Sequence, residues 1–174
     1  IHGEISSQRY SPLDQINAGN VADLEIAWRF STKGFGRVTD YVNPSTPIEI
    51  EGILYANVGI TRNVVALDAT SGQVLWMFRY QEGDRFDEAP RKGSGRGVSF
   101  WTDGDAERII DVSPGYQLVS LDAKTGIPDS DFGNNGIVDL FVGVRNGDDP
   151  RYAYPEIGLS APPLVMNDVI VVGA

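Results

Sequence analysis

Asn63-Val64-Val65-Ala66-Leu67-Asp68-Ala69-Thr70-Ser71-Gly72, continuing through Trp76 to Tyr80, carries the architecture of this chain. Asn63 to Leu67 is a short apolar run that ends at Asp68, the pattern of a buried strand stopping at a polar turn. Asp68 to Gly72 has the chemistry of a type I turn closed by a glycine bulge. The Asp carboxylate accepts backbone N–H bonds, and Gly takes the left-handed conformation without a Cβ clash. Gln73 to Tyr80 then returns as a further strand. Upstream, Ile48 and Ile50 alternate with Glu49 and Glu51, Glu51-Gly52 fits a tight hairpin turn, and Ile53 to Val58 runs back. Four antiparallel strands with short turns make one propeller blade.

The module recurs. Val98 to Trp101, a turn at Asp103-Gly104-Asp105, and Glu107 to Val112 form two strands. Pro114-Gly115 turns the chain into Gln117 to Leu121, and Asp122-Ala123-Lys124-Thr125-Gly126 repeats the signature turn 54 residues after the first. That period lies within the range of repeat arrays. A third module opens with Pro163 to Met166, a turn at Asn167-Asp168, and Val169 to Val172. The expected fold is all-β, with β-propeller blades of four antiparallel strands, about two and a half of them, in an incomplete ring. Residues 1–174 are expected to be a single partial propeller domain. Its parts are an N-terminal strand region at 1–45, a blade at 46–80, a blade at 97–140 and the start of a third at 161–174.

Within the N-terminal region, Ser11-Pro12-Leu13-Asp14 predicts a helical turn, and Asn17-Ala18-Gly19-Asn20 its stop. Glu25 to Phe30 predicts a strand burying Ile26, Trp28 and Phe30 on one face. A closed ring needs about four to eight blades, more than this period fits into 174 residues. The chain is therefore expected to be a segment of a longer polypeptide, and to self-associate through open sheet edges if the remaining blades are absent.

The formal net charge of -10 argues against nucleic acid and anionic membranes as partners, since both require a surplus of Lys and Arg. No stretch approaches the roughly 20 apolar residues of a membrane span, and residues 1–20 lack the charged and apolar regions of a signal peptide. Cysteine is absent, which excludes disulfides, zinc-thiolate sites, a Cys nucleophile and a covalent haem motif in these residues. The lone histidine, His2, leaves no material for a catalytic dyad or a His-based metal site.

The most unusual local composition is Arg91-Lys92-Gly93-Ser94-Gly95-Arg96-Gly97, three cations and three glycines on an acidic protein. Glycines let backbone N–H groups approach a ligand, and an Arg fork binds carboxylates bidentately, so the segment reads as an anion site. It is not a P-loop, because the Lys-Ser/Thr ending and the following helix are missing. A solvated loop between blades accounts for the same composition, and the residues alone leave both readings open. Glu49 and Glu51 read as solvated. Asp129-Ser130-Asp131 near Asn134-Asn135-Gly136 reads as an acidic turn, since Leu140 stands where a calcium loop would close with Glu. Asp84, Asp87 and Glu88 balance the basic cluster. Trp28, Trp76 and Trp101 read as packing between blades.

Several stretches, in order, resemble the pyrroloquinoline-quinone (PQQ) dependent dehydrogenases, a family of eight-bladed propellers that includes methanol, ethanol and glucose dehydrogenases. They are Arg9 to Asn17 with Asn20-Val21, Leu24 and Ala27-Trp28; Thr46-Pro47 with Gly52 to Tyr55; and Ala66 to Ala69 with Gly72 and Trp76, similar to that family's tryptophan-docking repeat. Arg96-Gly97-Val98, the loop from Phe132-Gly133 to Gly136, and Pro162 to Val165 with Val169 to Gly173 complete the set. The resemblance implies that Arg96 contacts a PQQ carboxylate and that Ser160 contacts the cofactor. Two departures accompany it. Pro90 and Arg91 stand where alcohol dehydrogenases of the family carry adjacent cysteines, which points away from the methanol and ethanol branches toward glucose-dehydrogenase-like or uncharacterised ones. Pro44 stands where relatives carry an acid.

The resemblance further implies a PQQ-dependent alcohol or sugar dehydrogenase working by hydride transfer to the quinone, with a divalent metal such as Ca2+. The metal's ligands, the catalytic base and a stacking Trp would lie beyond Ala174, so no catalytic or metal-binding residue is assigned here. Implied partners are a small alcohol or sugar substrate, an electron acceptor such as cytochrome c or quinone, and the remaining blades, in the periplasm. The alternative is a noncatalytic PQQ-like propeller acting as a protein-interaction scaffold, which would not need the basic Arg-Gly cluster. A sugar-binding sheet is a third reading.

Overall fold

The computed structural model describes residues 13–36, 38–143 and 157–173. These residues form two four-stranded antiparallel sheets and one hairpin. The first sheet is β1 (Ile48–Ile50), β2 (Ile53–Val58), β3 (Asn63–Asp68) and β4 (Val74–Phe78), in sequential order. A short helix, α1 (Asp84–Glu88), follows. The second sheet is β5 (Ser99–Thr102), β6 (Glu107–Val112), β7 (Gln117–Asp122) and β8 (Ile137–Asp139), again in order. The hairpin β9 (Leu164–Met166) and β10 (Val169–Val171) turns at Asn167. This is the all-β, blade-like architecture expected from the repeat.

The sheets stack face to face, and period-two alternation assigns each side chain to a layer. Val64 and Ala66 on β3 meet Ile109, Val119 and Leu121 of the second sheet in one apolar layer. Val65 and Leu67, on the opposite face, pack under Trp28, Phe30 and Phe35. Ile110, Val112 and Leu118 face Val165 and Ile170 of the hairpin. β3 and β6–β7 are thus buried on both faces, which explains why Val64-Val65-Ala66-Leu67 is a continuous apolar run.

The signature turns have the same hydrogen bonds. Asp68 accepts from the Thr70 and Ser71 amides and the Ser71 hydroxyl at 3.1, 2.7 and 2.7 Å. Asp122 accepts from the Lys124 and Thr125 amides and the Thr125 hydroxyl at 3.1, 2.8 and 2.7 Å. The Ser71 hydroxyl and amide hold the Asp68 carboxyl below its ordinary range. Each turn is also a docking plate. The Trp28 indole N–H donates to the Ala69 carbonyl at 3.0 Å, and that of Trp76 to the Ala123 carbonyl at 2.8 Å. Each indole therefore ties one layer to the turn of the next. Trp28→Phe keeps an aromatic ring and deletes the N–H; a loss of about 1–2 kcal/mol in chemical denaturation is the expected result.

The N-terminal region departs from the expected strand. Glu25 to Phe30 forms no strand and pairs with none among the described residues. Trp28 and Phe30 pack on the first sheet, whereas Ile26 is 66% exposed. An apolar alternation specifies a buried face, but a strand also needs a neighbour to complete its ladder. The helical turn foreseen from Ser11-Pro12 lies largely outside the described residues, as does His2; Leu13 and Asp14 carry no helix, and a separate 3-10 turn forms at Val21–Asp23. In the second sheet the fourth strand is set well apart from the signature turn, unlike β4 in the first. Leu121 makes a single bridge to Pro128, the chain loops out, and Ile137–Asp139 pairs with β7. Pro128 has no N–H to continue a ladder. The excursion is anchored by Arg108, which pairs with Asp129 at 2.6 Å.

Candidate functional site

The basic loop between the sheets is held by main-chain bonds at both ends. Gly93 N–H donates to the Ile60 carbonyl at 2.9 Å, and Arg96 N–H donates to the Ser160 carbonyl at 2.8 Å. The Arg96 carbonyl accepts from Thr46 N–H at 3.0 Å. Three segments distant in sequence therefore meet at Arg96. Together they line an open cavity of about 360 Å3, with Asp40, Val42, Pro44, Lys92, Ser94, Arg96 and Ser160 among its walls. Arg96 and Ser160, singled out separately in the sequence, thus lie on one concavity.

The polar groups of this cavity differ in their freedom. Arg96 is exposed, and no hydrogen bond or ion pair engages its guanidinium among the described residues. Lys92 is committed elsewhere: its ammonium donates to the Asp87 carbonyl at 2.7 Å and lies 5.3 Å from the centre of the Phe86 ring. Ser94 is fully buried, and its Oγ has no hydrogen-bond partner among the described residues. Asp40, which the sequence did not single out, brings a carboxylate to the same wall as Pro44, the position where an acid was missing. It accepts from the Val42 and Ser94 amides at 3.1 and 3.3 Å.

The loop glycines do something other than expected. Gly95 sits at φ +69, and a Cβ there would come within 2.8 Å of Arg62 Nε. A Cβ on Gly97 would lie 2.7 Å from the Thr46 carbonyl oxygen. Both glycines admit protein atoms, which leaves Gly93 as the open one.

Behind the cavity lies a buried polar layer that sequence reading missed. Arg62 is 2% exposed, and its guanidinium donates to the carbonyls of Gly93, Val112, Leu159 and Arg91. Asp111, also 2% exposed, accepts from Asn57 Nδ2 and the Tyr80 hydroxyl, each at 2.9 Å. Burial pushes the Asp111 carboxyl up to about 6 against the attraction of Arg62, and burial followed by the Asp111 charge raises the Tyr80 phenol. One signal was available. Asn57 and Asp111 are 54 residues apart, the signature-turn spacing, and each interrupts an apolar strand. Among the described residues, no group of three or more acidic or His side chains gathers to hold a metal ion.

The family model described as the glucose/ethanol/alcohol dehydrogenase β-propeller domain, named for PQQ, matches residues 1–174. A quinoprotein glucose dehydrogenase of Gluconobacter oxydans is 34% identical over 95% of the chain and 22% of its own length. The dehydrogenase subunit of a quinone alcohol dehydrogenase from the same organism is 34% identical over 70% of the chain and 15% of its own length. The solved quinohemoprotein alcohol dehydrogenase of Comamonas testosteroni superimposes with a TM-score of 0.67 at 25% identity, over 95% of the chain and 21% of that structure. The chain thus spans about a fifth of the length of such relatives.

Proposed function

We propose, given that the chain belongs to the PQQ β-propeller family of glucose, ethanol and alcohol dehydrogenases, that it supplies one wall of the PQQ cradle in a dehydrogenase of alcohol or sugar hydroxyls. The observation that carries this reading is the convergence of Arg96 and Ser160 on one cavity, tied by the 2.8 Å bond between their backbones. The donor set suits a polycarboxylate. Arg96 offers a guanidinium fork without a protein partner among the described residues, and the Ser94 hydroxyl is buried and unpartnered there. Asp40, the one acid of the wall among the described residues, already accepts two backbone N–H bonds, which lessens its repulsion of an anion.

PQQ, when bound, supplies a quinone that accepts hydride from a hydroxyl-bearing carbon. The residues of this chain grip and orient; the proton chemistry and the divalent metal, with Ca2+ the expected ion, belong to residues elsewhere. A periplasmic site and an electron acceptor such as a cytochrome c or quinone complete the proposal. In the full-length protein, Arg96→Ala is expected to raise the dissociation constant for PQQ by about tenfold to a hundredfold, the worth of a charge-assisted bond, in a reconstitution titration. Unchanged affinity would overturn the assignment.

A further inference from the structure

We infer that Arg62 is a positioning residue for this cavity: one buried guanidinium sets the register between the Arg96 loop and the Ser160 segment. The inference rests on the PQQ-cradle reading and adds to it a residue that does not line the cavity.

The geometry is specific. Arg62 occupies a left-handed turn position after β2, at φ +55, and its side chain leaves the first sheet. Nη2 donates to the Arg91 carbonyl at 2.9 Å and Nε to the Gly93 carbonyl at 3.3 Å, both in the basic loop. Nη1 donates to the carbonyl of Val112 on β6 at 2.8 Å and to that of Leu159, the residue before Ser160, at 2.6 Å. One planar group thus joins the second sheet to both segments that meet at the cavity.

A buried cation is costly unless its donors are satisfied. Here four carbonyls and the nearby Asp111 meet that need. Gly95 gives way to the side chain, since a Cβ at that position would meet Arg62 Nε and Cδ. A turn arginine, the glycine that makes room for it, and the carbonyl before Ser160 therefore form one device. A lysine cannot replace it, because a single ammonium does not span carbonyls on three segments.

The test uses the full-length protein with Arg62→Lys, and Arg62→Met as a second variant. In Arg62→Lys, amide hydrogen exchange at Arg96 and Thr46 is expected to accelerate by about tenfold while Val65 and Val119 keep their protection, and the dissociation constant for PQQ to rise by a similar factor. In the Arg62→Met background, Arg96→Ala is expected to weaken PQQ binding less than it does in the parent. Exchange that rises uniformly through the sheets, or PQQ affinity that stays at the parental value in a folded variant, would overturn the positioning role. If Arg96→Ala weakens binding but Arg62→Lys does not, the Arg62 role fails alone. If Arg96→Ala has no effect in the parent, the cradle reading fails and this role with it.

Discussion

Gly126→Ala is expected to lower folding stability by about 3 kcal/mol, a large effect for one methyl group. Two costs combine. Gly126 sits at φ +71, where an L side chain costs roughly 1–2 kcal/mol. The added Cβ would also lie 2.4 Å from Trp76 Cε3, so the indole must move. Moving it endangers the 2.8 Å bond to the Ala123 carbonyl and the contact between the Trp76 and Tyr55 rings, whose centres are 5.9 Å apart. Denaturation of the single and double variants separates the two costs. In a Trp76→Ala background the Gly126→Ala penalty is expected to fall to the backbone share, roughly 1–2 kcal/mol, because the steric partner is gone. An undiminished penalty in that background would mean the indole is not what the glycine accommodates.

The second large effect is a pH dependence centred on Asp111. Burial raises its folded-state pKa from the ordinary 3.8 to about 6, so the folded chain keeps a proton which the unfolded chain has already released. The stability contributed by that proton is therefore present in full below about pH 4 and is lost as pH rises through about 6. Each tenfold change in proton affinity corresponds to roughly 1.4 kcal/mol, which makes the loss about 3 kcal/mol. Asp129 and Asp139 act in the opposite sense. Arg108 and Arg85 hold their carboxyls below the ordinary range, so their stabilisation is present above about pH 4 and disappears on further acidification. Asp111→Asn keeps an acceptor for Asn57 and Tyr80 and removes the titration. Its stability, measured by urea denaturation, is expected to stay flat between about pH 4 and pH 7, whereas the parent declines. A parallel decline in both proteins would rule out Asp111 as the source.

The two features had different visibility in the sequence. Gly126 was legible as a turn glycine because its requirement is local: the carboxylate of Asp122, four residues back, shapes the loop. Its contact with Trp76 was not legible, because the Trp belongs to the preceding blade. Asp111 looked like one polar residue in a strand, and its charge problem exists only because the packed sheets exclude water around it. The site divides in the same way. Arg96 was singled out by its Arg-Gly context and Ser160 by the family resemblance before Pro162-Pro163, and the structure brings the two to one cavity. Arg62 gave no local hint, since its acceptors are main-chain carbonyls, which every residue possesses. The Glu25 to Phe30 segment shows the converse: its alternation holds at Trp28 and Phe30, yet Ile26 is exposed and no described strand completes the segment.

By itself the sequence determined the blade repeat, its 54-residue period, the turn chemistry at Asp68 and Asp122, and the basic segment around Arg96. All but the period depend on residues within a few positions of one another, where backbone geometry and side-chain type act directly, and the period is the spacing of two such local signals. Only the tertiary structure decided which layer each tryptophan joins, what fills the space at Gly95, and that a buried Arg62 links the Arg96 and Ser160 segments. Those outcomes depend on the distance between segments far apart in the chain, and on the removal of water from the groups between them.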